Sequence, residues 1–255
     1  MFRKLLRPRT ASRAGPAIPP GERVYAIGDV HGCVDLLDDL LAQIAADDAA
    51  RGPARTTLVF LGDLVDRGPA SAQVVERLRS LARERHDLRF LQGNHEEIFL
   101  GALDADPKAL RLFCRIGGRE TAISYGIAPD RYDRLDYAQF AAALAELVPA
   151  DHIAFLRSFE DVIVIGGYAF VHAGVRPGVE LDQQKASDLR WIRDPFLDHD
   201  RPLDKMIVHG HTISPTVERR SHRIGVDTGA YSTGQLTALG LESTASWTLV
   251  STIAA

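Results

Sequence analysis

The chain has 255 residues, which is long enough for one sizeable domain with its own core and short for two independent ones. Hydrophobic residues make up 45%, charged residues 25% and the net charge is −4, and no stretch approaches the roughly 18 consecutive apolar residues that predict a membrane span. The two cysteines, Cys33 and Cys114, lie far apart and outside any zinc-binding spacing, which argues against a disulfide framework and a structural zinc site and favours a reducing, cytoplasmic compartment.

The charge is distributed unevenly along the chain. Five of the 30 basic residues precede the first acidic residue, Glu22, which leaves a body with 25 basic and 34 acidic residues and a net charge of −9. Residues 1–21 are rich in proline, lack an apolar secretory core and are predicted to form a disordered basic tail. Alternatively, Phe2, Leu5, Leu6 and the basic residues contact an anionic membrane surface or form an organelle transit peptide. The acidic body offers no basic stripe, so nucleic acid is not expected as a substrate.

From residue 23 the chain repeats three times a short aliphatic run, a Gly-Asp or Gly-Asn turn and a helical stretch. The predicted strands are residues 23–27, 56–61 and 88–92, and the predicted helices are residues 34–50, 70–84 and 96–104. Apolar strands that alternate with helices predict a mostly parallel sheet covered on both faces. Ligands of such sheets bind beyond the carboxyl ends of the strands, where the polar motifs of this chain fall.

The second half of the chain has a different pattern. Residues 106–159 are rich in alanine, lack strand signals and are predicted to be a helical cap inserted over one end of the sheet, with a role in specificity. Closely spaced strands then predict a second, mixed sheet, so that residues 22–255 form one catalytic domain. These strands are predicted at residues 162–165, 168–172, 206–209, 224–226, 236–241 and 247–251.

Polar motifs follow all three of the first predicted strands. Asp29 and His31 lie two positions apart after the first strand, so extended backbone directs both side chains to the same side. By itself this pair is more often a helix N-cap and a surface histidine. The other two motifs are Gly-Asp-Leu-Val-Asp-Arg-Gly at residues 62–68 and Gly-Asn-His-Glu at residues 93–96. One shared site explains the three motifs more economically than three unrelated turns and caps.

Two histidine motifs follow later strands, and each alone would indicate a core or loop histidine. They are His172-Ala173-Gly174 and His209-Gly210-His211-Thr212. Oxygen and nitrogen ligands without cysteine suit Mn²⁺, Fe or Zn²⁺. Two such ions about 3.5 to 4 Å apart clamp the attacking and leaving oxygens of an in-line phosphoryl displacement. The motifs together therefore predict a two-metal phosphoesterase.

The five blocks, in this order, resemble those of the phosphoprotein phosphatase family of calcineurin-like metallophosphoesterases, over residues 24–241. The resemblance is closest to the protein phosphatase of bacteriophage lambda and its bacterial relatives. It implies an α/β fold in which two mixed sheets form a four-layer α/β/β/α sandwich with a helical insertion. It also implies two divalent metal ions, Mn²⁺ first with Fe or Zn²⁺ as alternatives, one held by Asp29, His31 and Asp63 and the other by Asp63, Asn94, His172 and His211.

The resemblance assigns His95 as the proton donor to the leaving oxygen, Asp66 as the group that orients its ring, and Arg67 and Arg193 as the phosphate clamp. Physical chemistry supports these roles. Two cations lower the pKa of bound water, so a metal-bridging hydroxide attacks phosphorus in line without a serine or cysteine nucleophile. Guanidinium forks match phosphate oxygens, and a carboxylate favours the protonated form of a histidine. His211 is assigned as the metal ligand of its motif, and His209 is predicted to support the site or to pack in the core.

The substrate prediction depends on Asp66 and Glu96. Symmetrical tetraphosphatases of the resembled family carry Ala and Asp at these positions, whereas the phage-type phosphatases carry Asp and Glu, as this chain does. The resemblance therefore favours phosphate monoesters: phosphoserine and phosphothreonine proteins first, and small aryl phosphates as well.

Two alternatives stay open. The first is hydrolysis of diadenosine tetraphosphate or another dinucleoside polyphosphate, in which Trp191, Tyr125 or Tyr137 would stack on a base or serve only as packing residues. Apart from this alternative, Tyr231 is a candidate for the margin of the site. The second is a binding module that kept the fold without the chemistry. The complete set of predicted ligands, proton donor and arginine clamp disfavours the second alternative.

Overall fold

The structure is a computed structural model that describes residues 15–252. Its first sheet has the order β10-β9-β1-β2-β3. Strand β1 pairs in parallel with β2 and antiparallel with β9, and β2 pairs in parallel with β3. The strands of this sheet are β1 (Glu22–Ile27), β2 (Arg55–Phe60), β3 (Leu88–Phe90), β9 (Gln235–Glu242) and β10 (Ala245–Thr252).

The second sheet is mixed, as predicted, and has the order β4-β5-β6-β8-β7. Its strands are β4 (Ile163–Ile165), β5 (Tyr168–Phe170), β6 (Met206–His209), β7 (Glu218–Arg219) and β8 (Arg223–Gly225). The assignment of the last two predicted strands to this sheet is wrong. They form a hairpin, β9 and β10, that completes the first sheet beside β1, because a buried apolar run does not itself specify its pairing partner.

Helices follow β1, β2 and β3 as predicted, and residues 106–159 are helical without a strand. The helices are α1 (Val34–Arg51), α2 (Ser71–Glu84), α3 (Asn94–Leu103), α4 (Pro107–Ile116), α5 (Gly118–Ser124), α6 (Pro129–Tyr132), α7 (Tyr137–Leu147), α8 (Ala150–Arg157), α9 (Ala186–Trp191), α10 (Asp194–Leu197) and α11 (Ala230–Thr233). Within residues 15–252, none of the helices is both long and apolar enough to cross a bilayer.

Alternating side chains build the four predicted layers. One face of the first sheet packs against the second sheet, through residues such as Val24, Val59 and Phe170. The opposite face, which includes Tyr25, lies under α1 and α2. The outer face of the second sheet is covered by α9 and α10, and the helical cap, α4 to α8, has a separate apolar core with α3. The result is an α/β/β/α sandwich with the cap at one end.

The predicted tail of residues 1–21 is partly ordered. Ile18 is 2% exposed in the core between the sheets, and its N–H donates to the carbonyl of Ser243. The Ala17 carbonyl accepts from the N–H of Gly167, so this segment packs along the end of the second sheet. The buried side chain of Ile18 and the backbone hydrogen bonds of Ala17 and Ile18 thus hold this proline-rich segment against the domain. The predicted membrane contact through Phe2, Leu5 and Leu6 lies outside the described residues.

Candidate active site

The site lies where strands of both sheets end. Strands β1, β2 and β3 run parallel, so the loops carrying Asp29, Asp63 and Asn94 leave the first sheet at one edge. Strands β5 and β6 are parallel in the second sheet and are followed by His172 and His211. These five side chains are at most 9% exposed. The packing of the two sheets thus brings residues from five strands to one place.

The loops that form the site are held in unfavourable backbone conformations. Of the seven non-glycine residues with positive φ in the described part of the chain, five are predicted site residues. They are His31 (44°), Asp63 (50°), Asp66 (72°), Arg67 (67°) and His211 (63°). Left-handed φ is costly for residues with a Cβ and persists only where surrounding contacts enforce it, typically at functional sites.

Glu96 supplies many of those contacts. Its buried carboxylate accepts from the backbone N–H groups of Asp63 (2.8 Å), Leu64 (2.7 Å) and Gly93 (3.0 Å), so it ties the loop after β2 to the loop after β3. From the sequence, the Gly-Asn-His-Glu motif indicates either a helix cap or a substrate signature at Glu96, and the contact with Gly93 confirms the cap. The contacts of Glu96 show a structural role, because they are to backbone groups of the loops that carry the site.

Asp63 lies at the centre of the site. One oxygen, Oδ1, accepts from the backbone N–H of His95 at 3.0 Å. The other, Oδ2, lies 3.4 Å from Nε2 of His172, 3.7 Å from Nε2 of His31 and 3.9 Å from Nε2 of His95. Burial acts to raise the pKa of Asp63, but the charges of His172 and His95, whose own pKa values are raised, outweigh it and hold the pKa of Asp63 well below its usual range. The carboxylate is therefore ionised.

Two of these rings have the tautomer of a metal ligand. Nδ1 of His31 lies 2.7 Å from the carbonyl of Val65, and Nδ1 of His172 lies 2.7 Å from the carbonyl of Leu61. A carbonyl only accepts, so each Nδ1 is protonated, and it is Nε2, on the side of Asp63, that would bind a cation. Burial acts to lower the pKa of His172, but the charge of Asp63 outweighs it and raises this pKa, so a cation would have to displace the proton from Nε2 of that ring. Metal-binding histidines are usually fixed in this way by a backbone carbonyl. Nε2 of His172 also lies 3.0 Å from Oδ1 of Asn94, so these two predicted ligand atoms are in contact.

His211 gives independent evidence for a cation. Its Nε2 is buried and has no hydrogen-bond partner among the described residues. Burial lowers the pKa values of both His31 and His211 to about 3, so their rings are neutral and able to coordinate. Asp63 belongs to two clusters of potential ligand atoms, each within 4.8 Å, one with His31 and His95 and one with His172 and His211. These groups fit a binuclear metal site with a shared carboxylate.

Asp29 lies beside these clusters. Its carboxylate accepts from the backbone N–H of His211 at 2.9 Å, across 182 residues of chain. Burial, followed by the negative charges of Asp227 and Asp63, raises the pKa of Asp29 well above its usual range. A divalent cation between these acids would remove that repulsion. Asp227, which the sequence motifs did not single out as a ligand, is the additional acid that the fold brings here.

His95 is held on both sides. Nδ1 lies 2.6 Å from Oδ2 of Asp66, and Nη2 of Arg67 lies 3.0 Å from Nε2. Burial acts to lower the pKa of His95, but the carboxylates of Asp63 and Asp66 outweigh it and raise this pKa. The structure thus brings together the predicted proton donor and the carboxylate predicted to orient it.

The rim of the site carries positive charge and one aromatic ring. The Arg67 guanidinium lies 4.8 Å from the ring centre of Tyr231, and that ring lies 5.3 Å edge-on from the ring of His31. Arg193 is exposed and close enough to His211 that its charge contributes to lowering the pKa of that ring. Tyr231 therefore occupies the site margin, as predicted.

Other sequence candidates are placed elsewhere. The Tyr125 ring is 9% exposed, packs in the core of the helical cap and contacts His152, so it is not available to stack on a base. Tyr137 is half exposed on α7, and the indole N–H of Trp191 donates to Glu97. His209 is buried against Phe196, with Nδ1 2.9 Å from the carbonyl of Gly210, which agrees with a core role.

A four-layer α/β sandwich with buried Asp, Asn and His groups at its strand ends defines a metal-dependent phosphoesterase. The model of the calcineurin-like phosphoesterase family matches residues 22–238, and the chain belongs to that family.

Similar proteins agree with this class. An asymmetrical bis(5'-nucleosyl)-tetraphosphatase of Anoxybacillus flavithermus is 28% identical over 238 residues, 84% of this chain and 88% of the relative. A symmetrical bis(5'-nucleosyl)-tetraphosphatase of Paracidovorax citrulli is 40% identical over 114 residues, 45% of this chain and 35% of the relative. A crystal structure provisionally assigned as a diadenosine tetraphosphatase has the same fold, with a TM-score of 0.62, 22% identity and coverage of 92% of this chain and 98% of that one.

Replacement of Asp66 by Asn tests the pairing of His95. We expect Asp66→Asn to lower kcat for phenyl phosphate, whose leaving group needs a proton, by about 100-fold or more, because the ring loses the charge that favours its protonated form. Metal content should be unchanged, since Asp66 belongs to neither cluster around Asp63. Steady-state kinetics and elemental analysis of the same sample measure both. Loss of bound metal in this variant would show that Asp66 is a ligand instead.

Proposed function

We propose that this phosphoesterase hydrolyses dinucleoside polyphosphates. The observation that carries the proposal is the similarity to an asymmetrical tetraphosphatase over 84% of this chain and 88% of that relative. The site geometry supports the reaction class, and the relatives support the substrate. The alternative of a binding module without chemistry is disfavoured by a site whose proton donor, orienting carboxylate and ligands are all in contact.

In this proposal, Asp29, His31 and Asp63 would hold one metal ion, and Asp63, Asn94, His172 and His211 would hold the other. Two bound divalent ions lower the pKa of a water molecule and withdraw charge from phosphoryl oxygens. Arg67 and Arg193 bind the phosphoryl group from the rim through planar donor forks. His95 donates its Nε2 proton to the departing oxygen, and Asp66 holds Nδ1. Mn²⁺ fits this donor set, as do Fe and Zn²⁺.

A cavity beside the site is suited to one nucleoside. It has a volume of about 370 Å³, and Gly32, the residue after His31, is part of its lining. Its lining includes Leu36, Ala70 and Tyr231, so it offers apolar and aromatic surface. Small-molecule pockets combine such surface with a few polar groups and start at about this volume. We propose that a base bound here places the polyphosphate across the rim arginines.

The sequence-based preference for protein substrates loses part of its basis. Glu96 accepts from the backbone N–H groups of Asp63, Leu64 and Gly93 and does not face the substrate side. The presence of Glu at this position therefore reflects the structure of the loops and not the choice of substrate. Asp66 acts on His95, which either substrate could use. Neither residue therefore selects between a phosphoprotein and a dinucleotide by direct contact.

Phosphomonoester hydrolysis, including that of phosphoserine and phosphothreonine, is the second candidate. The contact of 2.6 Å between His95 and Asp66 favours it. An alkoxide is a poor leaving group that needs a proton, whereas the phosphate leaving group of a dinucleotide is stable without one. A well-held proton donor is therefore more valuable for a monoester.

A substrate comparison separates the two candidates. With Mn²⁺ supplied, we expect kcat/KM for diadenosine tetraphosphate to exceed that for phosphoserine, phosphothreonine and phosphotyrosine peptides by at least about tenfold, since only the dinucleotide occupies the cavity beside His31. Chelation by EDTA should abolish turnover of every substrate. A preference for phosphopeptides would make the second candidate the function, and no turnover with Mn²⁺, Fe²⁺ or Zn²⁺ would reject both.

A bulky residue in the cavity tests the base subsite. We expect Ala70→Trp to raise KM for diadenosine tetraphosphate by about tenfold, because the indole occupies space that the base needs. Hydrolysis of phenyl phosphate, which lacks a base, should keep its kcat/KM. Ala138→Trp, on the cap helix α7 and away from the strand ends, is the matched control and should change neither substrate. An unchanged KM for the dinucleotide in Ala70→Trp would place the base elsewhere.

A further inference from the structure

Asp66 and Arg67 are consecutive non-glycine residues with left-handed backbone, at φ values of 72° and 67°. Such a conformation costs free energy at each residue, and two in succession need strong local support. The support comes from the helical cap, 50 and more residues later in the chain. The dipeptide that carries the orienting carboxylate and one clamp arginine thus depends on an element outside all five motifs.

The corner between α4 and α5 makes the contacts. The carbonyl of Gly117 accepts from the backbone N–H of Arg67 at 3.1 Å. Gly117 also lies so close to Arg67 that a Cβ on it would be 2.7 Å from the Arg67 nitrogen. One helical turn later, Oγ1 of Thr121 accepts from the backbone N–H of Asp66 at 2.8 Å. The cap therefore binds both residues of the strained pair.

Thr121 also contacts the carboxylate itself. Its hydroxyl donates to Oδ1 of Asp66 at 2.7 Å, while Oδ2 of the same carboxylate holds Nδ1 of His95 at 2.6 Å. The two oxygens have different partners on different elements, so the rotation of the Asp66 carboxylate is fixed. Thr121 and Asp66 are both fully buried, which excludes water as a substitute donor in the native packing.

We propose that Thr121 is a positioning residue for the proton donor, so that the helical cap takes part in orienting the acid of this site. The proposal rests on the proposed role of His95. As a water oxygen bonds to phosphorus and the bond to the departing oxygen breaks, the imidazolium of His95 gives its Nε2 proton to the departing oxygen and becomes neutral, while the Nδ1 proton stays on the ring and donates to Asp66. Thr121 keeps Asp66, and through it the ring, in the orientation that this transfer needs.

Leaving-group dependence distinguishes a positioning role from a merely structural one. We compare 2,4-dinitrophenyl, 4-nitrophenyl and phenyl phosphate. The need of the leaving group for a proton rises in that order, because dinitrophenolate is the weakest base of the three and phenolate the strongest. We expect Thr121→Val, which keeps the shape and removes the hydroxyl, to match the native kcat within about twofold on the dinitrophenyl ester and to lose about tenfold or more on the phenyl ester. Thr121→Ser, which keeps the hydroxyl, should restore the native dependence.

Ser71 supplies the matched control. Its Oγ accepts from the same backbone N–H of Asp66 at 3.0 Å and lies 3.1 Å from Oγ1 of Thr121, but the hydrogen bond to the Asp66 carboxylate comes from Thr121 and not from Ser71. Ser71→Ala should therefore leave the leaving-group dependence unchanged. If Thr121→Val does not fold, as judged by thermal unfolding, Thr121→Ala takes its place in the comparison. An equal loss on all three esters would overturn the proposal, because it would mean that Thr121 only stabilises the fold.

A spectroscopic readout separates this proposal from the proposed function. The Nδ1 proton of His95 should give a downfield proton resonance that disappears in His95→Gln. We expect it to shift or broaden in Thr121→Val and to persist in Thr121→Ser. An unaltered resonance in Thr121→Val would contradict the positioning role. If the resonance responds while the native chain hydrolyses no phosphate substrate, the positioning stands and the proposed function fails.

Discussion

The ionised carboxylate of Asp63 is 2% exposed and lies among the Nε2 atoms of three histidines, two of which are held through Nδ1 by backbone carbonyls. A buried negative charge is costly unless positive charge lies beside it. Bound cations would give the buried Nε2 of His211 a partner and would offset the repulsion between Asp29 and Asp227. They would also account for the orientations of the histidines. The architecture of the site follows from that requirement.

The fold meets the requirement by using strand ends from both sheets. Parallel β1, β2 and β3 deliver three loops to one edge, and β5 and β6 deliver two histidines from the facing sheet. Short loops can reach a common point only through strained backbone, which explains why five site residues have left-handed φ. Glu96 and the corner of the cap at Gly117 and Thr121 then hold those loops in place.

The sequence predicted the local features of this structure better than the contacts between residues that are far apart in the chain. Helices after β1, β2 and β3, the helical cap and the gathering of Asp63, His95 and His172 all follow from periodicity and motif position. The partner of β9 was not predictable, because a buried strand has the same pattern in either sheet. Thr121 was missed because its contact with Asp66 spans 55 residues and involves an unremarkable threonine in a helix.

We infer that two metal ions share Asp63 as a ligand. Equilibrium dialysis of the whole chain against Mn²⁺, followed by elemental analysis, tests it most directly. At a Mn²⁺ concentration just sufficient to saturate the native chain, we predict two ions per chain, and at most one for Asp63→Asn, because both ions lose a shared ligand. A single ion in the native chain, or two retained in Asp63→Asn, would contradict the account.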